Sequence, residues 1–347
     1  MKQASIHTST APAPHRTVLG TDESGAPLPN RTIILGTDES VTPLPNRTII
    51  LGTDWWTDCD DVAALRILCR AAKRGLWSLA GIVCNAAMPD SAASLNAFLT
   101  TEGFGDLPLG IDRDATDYGG APPYQKLLSA LPHTVPDNNA LPDGVALYRE
   151  LLTKAPGQVE LLEIGYPQVL AALCADEAGR ALVAEKVSCL WMMAGNWEKD
   201  GHGRENNFAR APRSRKTAAT LLRDFPCPIV FLGWEVGASV ISGTPETIPD
   251  ETDPLRLAFA AHGSQNGRSS WDPMLVLLAL HGDPRDPFDT ENAAKAGYTL
   301  RRGKASVDSE TGENDFTYAE DGKHGYVVKT QPDTWYAEEL AQWLSGH

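Results

Sequence analysis

The chain has 347 residues, of which 42% are hydrophobic and 22% charged, and its net charge is −15. This composition is typical of a globular protein with one large α/β domain or two small ones. The acidic excess argues against nucleic acid and anionic membrane surfaces as partners. It favours a small neutral or cationic ligand, or a site for a divalent cation.

Six cysteines are scattered through the chain without a C-x-x-C spacing, mostly inside apolar runs. This distribution indicates reduced, buried cysteines in a cytoplasmic protein. No apolar run is long enough to span a bilayer, and the first fifteen residues lack the apolar centre of a secretory signal. We therefore expect a cytoplasmic location.

A tandem repeat occupies the start of the chain. The segments RTVLGTDESGAPLPN, RTIILGTDESVTPLPN and RTIILGTDWW follow one another, so that Asp22, Asp38 and Asp54 recur at intervals of 16 residues. An array of metal loops is one interpretation, but the first two copies end in Pro-Leu-Pro and supply only one further acid each. We interpret residues 1–46 as a flexible arm and residues 47–347 as a single domain.

The third copy continues into an acidic turn. Residues 48–51 form a β-branched apolar run, and helical spacing of apolar residues resumes at Val62. Between them lie four acids, which are Asp54, Asp58, Asp60 and Asp61. One or two of these acids are accounted for by capping the helix. Four carboxylates so close together repel one another unless a cation neutralises them, and the end of an apolar strand is where α/β folds bind ligands.

Further strands and helices alternate along the chain. Strands are predicted at residues 77–84, 159–164, 187–194 and 229–232, and helices at residues 91–100, 145–153, 170–174, 216–223 and 273–280. Residues 103–143 are predicted to be irregular, and residues 300–330 to form short strands. This pattern indicates an α/β fold with a largely parallel, mixed, Rossmann-like sheet and helices on both faces.

The available ligands favour a hard cation. Calcium takes six to eight oxygen ligands, whereas zinc prefers histidine and cysteine. The chain offers the acidic turn and Asp272, at a later helix start, but no closely spaced histidine pair. We therefore predict Ca²⁺ in preference to Mg²⁺. A carboxylate that stays free beside a bound water then acts as a general base, which makes the site hydrolytic.

These motifs resemble those of the calcium-dependent nucleoside hydrolases of the inosine/uridine-preferring type, from about residue 47 to about residue 330. The resemblance is carried by the acidic turn Gly52–Asp61 and by Gly81–Asn85, Ile164-Gly165, Arg204–Phe208 and Ser270–Pro273. It implies that a calcium-bound water cleaves the N-glycosidic bond of a nucleoside or related ribosyl compound in nucleoside catabolism or purine salvage. It also implies a homodimer or homotetramer.

The resemblance also implies roles for individual residues. Calcium would be bound by the carboxylates of Asp54, Asp61 and Asp272 and by the carbonyl of Ile164. Asp60 would take the proton from water, with Asp58 as the alternative, because the turn is two residues longer than the family's. Ribose hydroxyls would be bound by Asn85, Glu205 and Asn207.

The chain departs from the family at its aromatic residues. Trp271 replaces a histidine that protonates the leaving base in many members, and an indole cannot supply that proton. We predict that Trp55, Trp56, Trp197 and Trp234 stack on the nucleobase or narrow the pocket. His202 is the candidate substitute acid. Two other functions stay open: a ribose- or nucleoside-binding relative with reduced turnover, and a magnesium-dependent phosphoryl hydrolase.

Overall fold

The computed structural model describes residues 47–56, 58–120 and 122–345. The predicted arm, residues 1–46, lies outside the described residues, and the proposed domain division stays a prediction. The strands are β1 Arg47–Thr53, β2 Trp77–Cys84, β3 Leu109–Ile111, β4 Val159–Glu163, β5 Val187–Met193, β6 Gly203–Arg204, β7 Ile229–Leu232, β8 Ile241–Ser242, β9 Arg268–Ser269, β10 Tyr298–Val307, β11 Glu313–Tyr318 and β12 His324–Lys329.

Helices connect most of these strands. They are α1 Asp60–Lys73, α2 Ser91–Thr101, α3 Gln125–Leu128, α4 Gly144–Lys154, α5 Gln168–Leu173, α6 Glu177–Lys186, α7 Asn206–Ala209, α8 Pro212–Asp224, α9 Trp234–Gly237, α10 Pro254–His262, α11 Trp271–His281, α12 Thr290–Lys295 and α13 Asp333–Leu344. Residues 103–143, expected to be irregular, contain β3 and α3. These elements are too short for a periodic pattern to reveal them.

Ten strands form one sheet in the order β3-β2-β1-β4-β5-β7-β12-β10-β11-β6, and β8 and β9 pair separately. Neighbours from β3 to β12 run parallel, whereas β10, β11 and β6 add antiparallel strands at one side. The predicted fold class, a mixed α/β sheet that is mainly parallel, is confirmed.

The core lies on both faces of this sheet. Ile49 and Leu51 of β1 pack into one apolar cluster, with residues of α1, α2, α11 and α13, while Ile50 packs into a second, with residues of α4, α5 and α8. Alternate residues of a strand point to opposite faces, so an uninterrupted apolar run is required where helices cover both. Among the described residues, no helix combines the length and the apolar content needed to cross a membrane.

Candidate active site

The site lies at the carboxyl ends of β1 and β4, two neighbouring strands of the parallel part of the sheet. β1 pairs in parallel with β2 on one side and with β4 on the other, so the chain order of the strands reverses direction there. Asp54 directly follows β1 and Ile164 directly follows β4, and the Ile164 amide donates a hydrogen bond of 2.9 Å to the Gly52 carbonyl. Ligands of open α/β sheets bind outside such a switch point.

Three carboxylates converge at this edge. One oxygen of each of Asp60, Asp61 and Asp272 lies within 4.8 Å of the others, and all three residues are buried. Asp60 and Asp61 form the first turn of α1, and Asp272 lies in the first turn of α11. Asp54 lines the same cavity, which has a volume of about 250 Å³. The structure therefore brings together the four acids that the sequence assigned to the metal and the base.

Backbone amides orient these carboxylates. Asp272 N–H donates to Asp60 at 3.1 Å, Trp55 N–H donates to Asp61 at 3.2 Å, and Trp56 N–H donates to Asp54 at 3.1 Å. Trp55 adopts a left-handed backbone conformation, with φ of 44°. Such a conformation is uncommon for a bulky residue, and here it accompanies the turn that aims two amides back at the acids.

Among the described residues, none forms an ion pair with the carboxylates of Asp54, Asp60, Asp61 or Asp272. Burial raises the pKa of Asp54, Asp60, Asp61 and Asp272 well above the usual value, and the negative charges of neighbouring acids raise these pKa values further. A buried set of carboxylate oxygens that repel one another fits a hard divalent cation, which would neutralise them. The residues present therefore fit the divalent cation that the sequence resemblance implies.

Asp58 is held differently from the other acids of the turn. Arg268 donates two hydrogen bonds to its carboxylate, at 3.0 and 2.6 Å. Asp58, Cys59 and His262 also place possible ligand atoms within 4.8 Å of one another. Because the guanidinium already neutralises Asp58, this second group is the weaker candidate for a cation. Both carboxylate oxygens of Asp58 are engaged by the Arg268 guanidinium, which leaves them less accessible to a water molecule than those of Asp60.

Polar groups from the loop after β5 form another wall. Glu205 is buried and accepts hydrogen bonds from Asn207 N–H at 2.8 Å and Gly195 N–H at 3.1 Å. Burial raises the pKa of Glu205 to about 7. The side-chain NH2 group of Asn207 donates to the backbone carbonyls of Met193 at 2.9 Å and Ile164 at 3.5 Å. Both side chains line the cavity with the acids. Their binding of ribose hydroxyls stays a prediction.

Asn85 does not line this cavity. Its side chain is fully buried, donates to Glu163 at 2.7 Å and accepts from Tyr166 N–H at 2.9 Å. Glu163 in turn accepts from Gly165 N–H at 2.9 Å. These bonds fix the backbone on both sides of Ile164, so the structure places Asn85 as a support for the turn that presents the Ile164 carbonyl. Contact of Asn85 with ribose stays a prediction, and the location of Asn85 outside the cavity lining does not favour it.

The predicted aromatic residues divide into two groups. Trp234 and Trp271 line the cavity, and the Trp271 indole donates to the Trp234 carbonyl at 2.8 Å. Trp197 is buried and stacks on Tyr326, with ring centroids 5.6 Å apart. His202 is exposed and hydrogen-bonded to Asp315 at 2.8 Å. The structure therefore brings neither Trp197 nor His202 to the cavity lining.

Trp56 also lines the cavity, whereas Trp55 is fully buried and does not. Three lining residues were not predicted as site residues, and they are Met193, Asn206 and Arg210. Asn206 and Arg210 are four positions apart, a spacing that places two side chains on one face of a helical turn. That spacing, next to Glu205 and Asn207, is the signal from which Arg210 could have been found. Met193 ends an apolar run and carries no comparable signal.

No family model matches the sequence, and no curated protein matches it by sequence similarity. Solved structures do resemble it. A plant nucleoside hydrolase, PpNRh1, aligns with a TM-score of 0.65 at 14% identity, covering 87% of this chain and 100% of that chain. The inosine-uridine preferring nucleoside hydrolase from Bacillus anthracis aligns with a TM-score of 0.57 at 15% identity, covering 86% of this chain and 99% of that chain.

A further match is an effector protein. The type III effector XopQ, solved in complex with adenosine diphosphate ribose, aligns with a TM-score of 0.59 at 16% identity, covering 87% of this chain and 93% of that chain. At these identities the alignments establish architecture rather than activity. The chain has the fold of the nucleoside hydrolases.

Proposed function

We propose that the protein hydrolyses the N-glycosidic bond of a ribonucleoside or a related ribosyl compound, releasing the base and ribose. The observation that carries this proposal is the convergence of three buried carboxylates, from Asp60, Asp61 and Asp272, in one cavity with Glu205 and Asn207. The likeness of the fold to nucleoside hydrolases, one of them inosine-uridine preferring, supports it.

The cation would be held by the carboxylates of Asp54, Asp61 and Asp272 and by the Ile164 carbonyl, all of which line the cavity. We infer Ca²⁺, because every donor is a hard oxygen and calcium accepts an irregular set of such donors. When bound, the ion supplies Lewis-acid activation of water.

Asp60 is the proposed general base. Its carboxylate belongs to the cluster and accepts a backbone N–H from Asp272, and no ion pair neutralises it among the described residues. In the reaction the water oxygen forms a bond to the anomeric carbon, the bond from that carbon to the base nitrogen breaks, and Asp60 takes a proton from the water. The leaving base retains the bonding electron pair.

The surrounding charges suit this bond cleavage. Cleavage of a glycosidic bond develops positive charge on the sugar ring, and fixed negative groups stabilise an oxocarbenium-like transition state. The Glu205 carboxylate is anchored by backbone N–H groups, and the Asn207 side-chain NH2 group by the Met193 carbonyl. The carboxylate oxygens and the Asn207 side-chain oxygen are therefore fixed acceptors for sugar hydroxyls. Fixed polar groups lower the entropic cost of orienting the substrate.

Leaving-group protonation is the weak point of the site. Trp271 lines the part of the cavity expected to face the nucleobase, and an indole N–H donates a hydrogen bond but not a proton. Activity should therefore depend strongly on how well the leaving group carries negative charge. The same observation favours a second candidate function, a relative that binds ribosyl compounds and turns them over slowly.

A riboside assay tests the proposal. With Ca²⁺ present, we expect p-nitrophenyl riboside to be cleaved faster than inosine, because p-nitrophenolate leaves without a proton. Chelation with EDTA should abolish both activities, and added Ca²⁺ should restore them. If neither compound is cleaved while ribose binds in a calcium-dependent way, the binding function replaces the hydrolase.

A phosphatase assay addresses the remaining alternative. A magnesium-dependent phosphoryl hydrolase uses cationic side chains such as lysine to hold the transferring group. The described residues that line the cavity include no lysine, and their single cationic side chain, Arg210, stands against six acids. Release of inorganic phosphate from p-nitrophenyl phosphate, with no cleavage of the riboside, would contradict the proposed glycosidic activity.

A further inference from the structure

Arg210 is unusual among the residues around the acidic cavity. Five of the described lining residues are aspartates and one is a glutamate, and Arg210 is the single basic residue among them. A guanidinium beside a substrate cavity is the side chain that binds carboxylates and phosphates best.

Two contacts fix the guanidinium. Its Nε and Nη2 atoms donate to the Tyr118 carbonyl, at 3.3 and 3.0 Å. Its Cζ atom lies 4.5 Å from the centroid of the Trp56 ring. Trp56 itself is tied to the site, because its N–H donates to Asp54. Arg210 is thus oriented by a carbonyl and an aromatic face rather than by a carboxylate.

These contacts leave the Nη1 group available to a ligand. A guanidinium has five N–H donors, and the Tyr118 carbonyl engages only the Nε and Nη2 side. Two other arginines form ion pairs with aspartates. Arg213 is paired with Asp112 at 3.5 Å and with Asp117 at 3.4 Å, and Arg268 with Asp58 at 2.6 Å. Among the described residues, Arg210 forms no such ion pair while facing the cavity.

The position of Arg210 indicates which end of a substrate it meets. Arg210 directly follows α7, which carries Asn207 and is preceded by Glu205, the proposed contacts for sugar hydroxyls. The Arg210 amide donates to the Asn206 carbonyl at 2.8 Å, which continues the same turn. Trp234 and Trp271, on the wall assigned to the base, belong to α9 and α11. The cation therefore shares a wall with the sugar contacts.

We propose that the substrate carries a phosphate on its sugar, at the 5′-oxygen, and that Arg210 binds this phosphate. The inference rests on the proposed function, because it assigns the sugar to the wall formed by Glu205 and Asn207. A charge-assisted bond from a fixed guanidinium offsets the repulsion between a phosphate and the acidic cavity. Arg210 would thus select a nucleotide over the corresponding nucleoside.

Kinetics on a matched pair of substrates test this specificity. Base release by the full chain with Ca²⁺ is measured for inosine, inosine 5′-monophosphate and inosine 5′-diphosphate. We expect a higher kcat/KM for the monophosphate than for inosine. Arg210→Gln should lower that preference by about 10- to 100-fold, the usual worth of a hydrogen bond to a charged group. The diphosphate shows whether a terminal phosphomonoester or a longer phosphate chain is preferred.

Two further variants make the result specific. Arg213→Gln removes a neighbouring arginine that does not line the cavity, and it should leave the preference unchanged. Arg210→Lys keeps the charge but loses the planar fork, so part of the preference should remain. Wild-type preference for inosine, or an equal loss on both substrates in Arg210→Gln, would overturn the inference.

Binding separates this inference from the proposed function. If no substrate releases base, titration calorimetry with inosine 5′-monophosphate and inosine still compares wild type with Arg210→Gln. Arg210-dependent binding of the monophosphate would support the phosphate site even though the hydrolase proposal had failed. Binding of the monophosphate that does not change in Arg210→Gln, or no binding at all, would overturn the phosphate site itself.

Discussion

The backbone amide of Asp272 donates a hydrogen bond of 3.1 Å to the carboxylate of Asp60, a residue 212 positions earlier in the chain. The bond joins the first turns of α1 and α11, whose N-terminal ends both face the acidic cavity. Negative side chains are stabilised at such ends by free N–H groups and by the helix dipole. Two helix starts thus offset part of the repulsion that the buried acids create.

Asp272 is the acid whose loss should most directly test the cation site. Its carboxylate belongs to the three-acid cluster, and its neighbours in that cluster come from α1 alone. We expect Asp272→Asn to weaken Ca²⁺ binding by more than the roughly 10- to 100-fold typical of losing an outer-shell partner. Titration calorimetry on protein stripped with EDTA measures this affinity directly.

A control for Asp272→Asn is available on the surface. Asp106→Asn removes the same charge from an exposed residue, so it changes the net charge of the protein equally. It should leave Ca²⁺ affinity unchanged at physiological salt, since distant exposed charges are screened. Equal calcium affinity in Asp272→Asn and wild type would rule out the proposed ligand set.

Asp60 and Asp58 are the two candidates for the general base, and their surroundings in the structure differ. Asp60 is buried among the clustered acids, whereas Asp58 accepts two hydrogen bonds from Arg268. We expect Asp60→Asn to lower kcat by about 100-fold or more, as loss of a general base does. Asp58→Asn should have a much smaller effect on kcat.

Calcium titration distinguishes loss of the base from loss of the ion. Asp60→Asn should still bind Ca²⁺, because Asp54, Asp61, Asp272 and the Ile164 carbonyl are its proposed ligands. The opposite outcome, an active Asp60→Asn with an inactive Asp58→Asn, would mean that the base lies two residues earlier in the turn than proposed.

Several features of the site follow from local sequence. Asp54 lies at the end of an apolar strand and Asp60 and Asp61 at a helix start, so the parallel sheet places them at one edge. Asp272, at another helix start before an apolar run, reaches the same edge. Local patterns locate these acids because strand ends and helix starts are themselves local features.

Other features depend on partners far along the chain. Asn85 lies directly after a strand, where ligand-binding residues are common. Its side-chain amide instead donates a hydrogen bond to Glu163, 78 positions later. In the sequence, Asp58 cannot be distinguished from the acids beside it. In the structure it pairs with Arg268, 210 positions away. Trp197 lies in a polar loop but packs on Phe231 and Tyr326. No pattern of spacing within one segment specifies such long-range contacts.

His324 provides a pH-dependent test that is independent of the cation site. It is buried in β12, and its Nδ1 atom accepts a hydrogen bond of 2.9 Å from Ala305 N–H. Burial, and secondarily the charges of Lys304 and Lys323, lower the pKa of His324 from 6.5 to about 4. Between these two values the unfolded chain binds the proton and the folded protein does not. Stability from this residue is therefore present above pH 6.5 and is lost as the pH falls toward 4.

We expect His324→Asn to reduce this acid sensitivity, because an asparagine carbonyl accepts the Ala305 bond and does not titrate in this range. Between pH 7.5 and pH 5, wild type should lose about 2 kcal/mol more free energy of unfolding than the variant, the amount that the pKa difference implies. Urea unfolding at the two pH values measures this difference. The exposed His133→Asn is the matched control and should behave as wild type. An equal pH dependence in wild type and His324→Asn would show that His324 is not the residue that titrates.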